Sequence, residues 1–396
     1  MGATLRPGAP EEVGMSRQRI RHVADLARDW VTRQGIQALA LLVARRGTIV
    51  EHEAWGRMGP EADAPPVSVD AMFDTQSLGK VFTATAIMLL VEEGRVGLNR
   101  PVSSYLPFFR GEGKDAVLVR HLLTHTSGSR SVDLEKFAKE REGKIDIPPP
   151  EAGMHPLWNE YFALRADCAL WKRPGEEMSY CSYGYELLGE IVRRTSGEPL
   201  DVFAQRRIFG PLGMKDTSYC QVDVPASRRV RNPPNAAEEL DALDRARETE
   251  RIAFGSGGAY TTAYDMAVFL QMFLNGGAYG ETRLLSPATV RAMTRNQIPG
   301  IGSVLFNEIF PEASWGLGWN VYGYKVQIHG ALLPPETFGH AGAGGIDCWV
   351  DPPDQLVGVF FSAVPHLPGM TRTREWAQHW RNDLFADAVT AAIVES

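Results

Sequence analysis

Along this chain the spacing of apolar positions switches between a helical and a strand period. Helical spacing behind Ser16, a fitting N-cap, predicts a first helix through about Gln34. Gln37–Ala44 (QALALLVA) and Thr48–Ala54 (TIVEHEA) then read as strands around Arg45-Arg46-Gly47, a β-hairpin. From Ser77 to Glu93 the spacing is helical and almost wholly apolar, with Gly94 placed to close the helix at C′. Short helices are predicted in VRHLLTHTSG (119–128), Tyr183–Gly197, Leu200–Phe209 and PLGM (211–214). Residues 131–170 and 222–250 are charged, proline-containing and weakly periodic, and read as irregular surface insertions that could shape a pocket. Tyr264–Leu274 is one more amphipathic helix. Beyond it, aromatic and β-branched residues alternate in Trp315–Tyr322, Cys348–Val350 and Leu356–Ser362, predicting antiparallel strands, and a last helix is expected over Thr371–Val394.

This order implies an α/β (α+β) protein: an antiparallel sheet flanked by helices, built from both chain ends, with a mostly helical region inserted. The expected division is residues 1–76 and 255–396 in the sheet domain and residues 77–254 in the helical one, with the candidate chemistry described below at their interface. Composition agrees with a large globular chain. Of its 396 residues 44% are hydrophobic and 22% charged, which excludes disorder, collagen and coiled coil. Lys and Arg total 41 against 48 Asp and Glu, a net charge of −7, so a grip on nucleic-acid phosphates is not expected. Four cysteines (168, 181, 220 and 348) are too few for a disulfide scaffold and match no metal knuckle. The first residues, MGATLRPGAPEEVGMS, hold no apolar signal core, and the longest apolar run, Val81–Val91, falls short of the roughly 20 residues a membrane span needs. A cytoplasmic protein that does not enter membranes is therefore expected.

Candidate chemistry concentrates in three places. Ser77-Leu78-Gly79-Lys80 places a serine and a lysine three apart, on one helix face. A lysine buried among apolar neighbours can act as a base, which an arginine cannot. The bland alternative is a helix N-cap beside a solvated lysine. Against it, eleven uncharged residues follow Lys80. Tyr180-Cys181-Ser182 precedes a helix; its phenol can relay a proton beside an ammonium, or can simply pack. Phe338-Gly-His340-Ala341-Gly342-Ala343-Gly344-Gly345 frees backbone N–H groups for an oxyanion, or is only a turn.

Together these stretches make the sequence resemble the serine hydrolases related to class C β-lactamases. That group includes penicillin-binding D,D-peptidases, D-aminopeptidases and family VIII carboxylesterases, the last being closest in character. SLGK (77–80), YCS (180–182) and HAG (340–342) carry the resemblance, and VRHLLTHTSG (119–128), RPGEEMSYCSYGYELLGEIV (173–192), PLGMKDTSY (211–219) and GSGGAYTTAYDMAVFLQMFLNGG (255–277) extend it over nearly the whole chain. The resemblance implies a β-lactamase/transpeptidase-like fold and acyl transfer without metal or organic cofactor. It implies Ser77 as nucleophile, Lys80 and Tyr180 as base and proton relay, and the backbone N–H groups of Ser77 and Ala343 as oxyanion hole. His340, Ser182 and Gly342 would orient the substrate. Ser182 stands where β-lactamases usually have Asn, and His340 where many relatives have Lys. A small ester is therefore expected ahead of a β-lactam or amide. A cytosolic amidase or D-peptidase, an acyltransferase, or a retired relative serving as a binding module are the alternatives.

Other features weigh less. His121 and His125 are spaced as metal ligands on a helix, but without the Glu of H-E-x-x-H they read as structural. No G-x-S-x-G elbow occurs, and the glycine clusters at 255–258 and 342–345 do not fit G-x-G-x-x-G. Trp315, Trp319, Tyr322 and Tyr324 read as sheet core, with an acyl-pocket lining as the alternative.

Overall fold

The computed structural model describes residues 2–232, 242–305, 308–325, 329–364 and 381–395. The chain opens with β1 (Arg6–Pro7), α1 (Arg17–Thr32), β2 (Ala38–Arg45) and β3 (Thr48–Gly56). A short β4 (Phe73–Asp74) leads to α2 (Lys80–Glu92), α3 (Val119–Leu123), α4 (Ser131–Arg141), α5 (Pro156–Arg165), α6 (Ser182–Ser196), α7 (Leu200–Ala204), α8 (Gly210–Leu212) and α9 (Ala242–Ala246). Next come β5 (Tyr260–Thr261), α10 (Ala263–Leu274), β6 (Ala278–Tyr279), β7 (Thr282–Arg283), α11 (Pro287–Thr294), β8 (Ser303–Leu305) and β9 (Glu308–Phe310). The chain closes with β10 (Asn320–Val321), β11 (Phe338–Gly342), β12 (Ile346–Asp351), β13 (Leu356–Ala363) and α12 (Asn382–Thr390). No helix among the described residues is long and apolar enough to cross a membrane.

The main sheet runs β1-β3-β2-β13-β12-β11-β10 and is antiparallel except for the β1–β3 pair. Its centre explains its sequence. Every residue of β2 is buried, because both faces are covered. With the two-residue period of a strand, Leu39, Leu41 and Val43 join Trp30 of α1 and Phe385 of α12 on one face. Ala38, Ala40, Leu42 and Ala44 face the core of α2 and α10 on the other. α2 is apolar all round, as a helix enclosed on every side must be, and it packs against α6 and α7. The sheet is thus assembled from both chain ends, and α2–α9 stand between them in sequence.

Most predicted elements appear where expected. Ser16 caps α1, accepting the Arg19 N–H, and Gly94 (φ 70°) and Gly197 (φ 81°) close α2 and α6 in the left-handed conformation. Three expectations change. Residues 131–170 contain two real helices, α4 and α5, whose buried positions (Leu134, Ala138, Phe162, Leu164) are too few to make a strong period. Of Trp315–Tyr322, only Asn320–Val321 forms strand β10. The alternation there comes from glycines that let the loop press on other elements: a Cβ on Gly316 or Gly318 would collide with the Met293 carbonyl or the Ala84 side chain. Ser77 lies in a 3₁₀ turn, Gln76–Gly79, ahead of α2 rather than inside it. Residues 365–380, the start of the predicted last helix, lie outside the described residues; α12 covers Asn382–Thr390.

Candidate active site

Ser77 is held by its local turn. β4 pairs with β5, then Asp74 Oδ1 accepts the Gln76 N–H at 2.9 Å, and Gln76 takes a positive φ of 48°. The tight turn brings the segment 255–258 against it. A Cβ on Gly79 would stand 2.9 Å from Gly257 Cα, so two glycines allow this approach. The next turn of α2 secures it, because the Thr83 hydroxyl donates to the Gly255 carbonyl at 2.7 Å.

Lys80 is fully buried at the start of α2, and its amine faces three oxygens. Nζ lies 3.2 Å from Ser77 Oγ, 3.3 Å from Ser182 Oγ and 2.7 Å from the Ser256 carbonyl oxygen. Those three acceptors match the three N–H donors of an ammonium. They equally suit an amine that donates to Ser182 and Ser256 and offers its lone pair to the Ser77 hydroxyl. The Tyr180 ring centroid is 4.9 Å from Nζ, and that of Tyr185 is 5.6 Å away. Glu186, buried on α6, accepts the N–H groups of Gly255 (2.7 Å) and Ser256 (3.2 Å), which fixes the carbonyl that Lys80 uses. Burial pushes its carboxyl up to about 7, despite those hydrogen bonds.

Tyr180 sits in the loop before α6, with Cys181 at the helix N-cap and Ser182 at its first position. Its ring meets His125 at 4.3 Å, Trp315 at 6.0 Å and His340 at 6.3 Å. His340 projects from β11 opposite Cys348 and is buried. Its Nδ1 lies 2.8 Å from the Ala341 carbonyl, so that nitrogen carries the proton and Nε2 keeps a lone pair. Burial first, and the charge of Lys80 second, push the imidazole down to about 3, so it is neutral at physiological pH. Gly342 ends β11 against the turn before Ser77: a Cβ there would lie 2.9 Å from Gln76 Cβ and nearer still to the Thr75 carbonyl oxygen. Ala343 follows, exposed, in the turn made by Gly344 (φ 79°) and Gly345 (φ 89°).

The structure therefore gathers Ser77, Lys80, Tyr180, Ser182, His340 and Gly342 from three distant stretches, with Ala343 beside Gly342. The arrangement holds a hydroxyl against an amine, a phenol over that amine, and a strand end beside the hydroxyl's own backbone. Such a set can move a proton off Ser77 and stabilise a developing oxyanion. Of the aromatic stripe, only Trp315 reaches this group. Trp319 is core, packed on Phe273 and Phe338; Tyr322 stacks on His329, and Tyr324 is exposed. His121 is structural, its Nδ1 accepting the Leu118 N–H. His125, expected to be structural, lies in the site against the Tyr180 ring. Together with Glu186 and Ser256 it was missed, since nothing in local spacing ties those three to Lys80.

The family model described as Beta-lactamase matches residues 20–379 of the chain. A curated protein of Salmonella schwarzengrund (strain CVM19633), named "Putative D-alanyl-D-alanine carboxypeptidase", is 28% identical over 405 residues, covering 92% of this chain and 87% of that protein. Among solved structures, a penicillin-binding protein homologue from Caulobacter crescentus superposes with a TM-score of 0.73 at 23% identity, covering 96% of this chain and 99% of that one. A family VIII carboxylesterase superposes with a TM-score of 0.69 at 21% identity, covering 94% and 98%. At such identities the structural likenesses speak for the fold.

Proposed function

The chain belongs to the beta-lactamase family of hydrolases and has the β-lactamase/transpeptidase-like fold, and on that premise we propose that it hydrolyses small, uncharged carboxylic esters through an acyl-enzyme on Ser77. The observation that carries the reading is the 3.2 Å contact between Nζ of the fully buried Lys80 and Oγ of the half-buried Ser77, among oxygens that carry no charge. Ser77 Oγ attacks the ester carbonyl carbon while its proton passes to the Lys80–Tyr180 pair. The backbone N–H groups of Ser77 and Ala343 receive the oxyanion. The tetrahedral adduct expels the alkoxide, which takes the proton back from the pair and leaves as the alcohol. Water then attacks the acyl-serine with the same pair as base, releasing the carboxylic acid and restoring Ser77.

The preference for an uncharged ester rests on His340 and Ser182. A neutral imidazole at His340 offers no countercharge to a substrate carboxylate. Ser182 has no amide to pair with a substrate amide, and its hydroxyl is already engaged by Lys80. The name of the Salmonella relative favours a second reading, a D-alanyl peptidase acting through the same residues. The four cysteines, all free thiols, agree with a cytoplasmic setting. To decide, kcat/KM is measured for p-nitrophenyl butyrate, a chromogenic cephalosporin and a peptide ending in D-Ala-D-Ala. The ester is expected to lead, with all activity lost in Ser77→Ala; a lead for the peptide or the cephalosporin would overturn the substrate assignment.

A further inference from the structure

Tyr180 belongs to neither a helix nor a strand, yet its phenol has to stand over Lys80. Its support comes from a residue distant in sequence, His125. That residue takes a left-handed φ of 55°, a conformation uncommon outside glycine, though His and Asn adopt it more readily than most. With that twist its carbonyl accepts the N–H of Ser179 at 2.8 Å, while its Nδ1 accepts the N–H of Cys181 at 3.1 Å. The N–H groups on both sides of Tyr180 thus end on one residue. The imidazole also lies 4.3 Å from the Tyr180 ring at 31°, with Tyr185 at 5.0 Å and Trp315 at 5.2 Å around it.

We propose that His125 is the positioning residue of the proton relay, holding Tyr180 over Lys80 by bracketing its backbone and stacking on its ring. This rests on the hydrolase reading above. An Nδ1 that accepts a hydrogen bond must be unprotonated, so the role requires a neutral imidazole with its proton on Nε2. Burial, helped by the charge of Lys80, keeps the ring neutral. Among the described residues Nε2, which is buried, has no hydrogen-bond partner, and the ring is held by Nδ1 and by stacking.

Asparagine separates these contributions, because its Oδ1 occupies the place of Nδ1 and it tolerates a left-handed φ. In His125→Ala, kcat for p-nitrophenyl butyrate is expected to fall about 100-fold with KM changed less than about threefold, since a misplacement of roughly 1 Å costs that much. In His125→Asn, kcat should recover to within about tenfold of the parent. A folded His125→Ala with undiminished kcat overturns the proposal, and so does a folded His125→Asn as slow as Ser77→Ala. Should the alanine variant not fold, the asparagine variant alone decides. A crystal structure of a slow variant gives a readout apart from turnover, with the Tyr180 phenol displaced from Lys80; an unmoved phenol refutes the positioning role. Full turnover in Ser77→Ala would instead refute the hydrolase reading and leave the displacement of Tyr180 as the measure of this one.

Discussion

Gly342→Ala is the substitution whose consequence can be worked out most completely. An alanine Cβ would stand 2.9 Å from Gln76 Cβ and 3.2 Å from Ile346 Cβ, and closest of all to the Thr75 carbonyl oxygen. The Thr75 oxygen is backbone, in the turn that carries Ser77, and cannot swing aside. The end of β11 must therefore retreat by roughly 1 Å, and the Ala343 N–H goes with it. A lost oxyanion donor costs about 10²–10³ in kcat, or about 3–4 kcal/mol of transition-state stabilisation. Gly344→Ala is the matched control: nothing lies within 4 Å of its added Cβ, although φ is 79°. It should cost about 1 kcal/mol of stability and leave kcat within about threefold. Steady-state hydrolysis of p-nitrophenyl butyrate and thermal unfolding of both variants make the assay. If Gly342→Ala keeps kcat within threefold of the parent, the strand end does not supply the oxyanion donor. Equal losses in both variants would point to a disordered turn instead of close approach.

Other consequences are as direct. Lys80→Met fills the volume without the amine, and Tyr180→Phe keeps the ring without the hydroxyl; each should lower kcat by at least about 10² while the protein stays folded, as activity and circular dichroism will report. Phe82→Ala empties the centre of a cluster in which its ring meets Phe269 at 4.8 Å and Phe209 at 5.0 Å, and should cost about 3–5 kcal/mol in urea unfolding. Stability should also depend on pH in two opposed ways. Burial raises Glu51 and Glu186 from 4.5 to about 7, so the folded state keeps protons that the unfolded chain loses, and stability falls as pH rises through that window. Burial lowers His121 and His340 from 6.5 to about 4 and about 3, so stability falls as pH drops below 6.5. The two windows overlap from pH 4.5 to 6.5, where the opposed effects offset each other, so the melting temperature should be highest and flattest there, fall below about pH 4.5, and be lower at pH 8.5 than at pH 6; a continuous rise to pH 8.5 contradicts the assignment.

Much of this was legible in the sequence because the signals are local. Ser16, Gly94 and Gly197 mark helix ends through backbone chemistry that one residue decides. The three-residue spacing of Ser77 and Lys80 predicts a contact that needs no tertiary information. What stayed hidden depends on distant segments. The alternation in Trp315–Tyr322 imitates a strand, but its glycines answer to Met293 and Ala84. α4 and α5 bury so few residues that their period is faint. His125 resembled a helix histidine because its partners, Ser179 and Cys181, come from another loop. Glu186 and Ser256 reach Lys80 only through the fold, and no spacing rule links them.

The proposed chemistry depends on Ser77 carrying the acyl group. Rapid mixing with p-nitrophenyl butyrate, acid quench and mass spectrometry of the peptides test it directly. One butyryl group is expected on the peptide containing Ser77, transient in the parent protein and absent in Ser77→Ala. Turnover with no adduct on that peptide in parent, Lys80→Met or Tyr180→Phe protein, or an adduct on another residue, would contradict it.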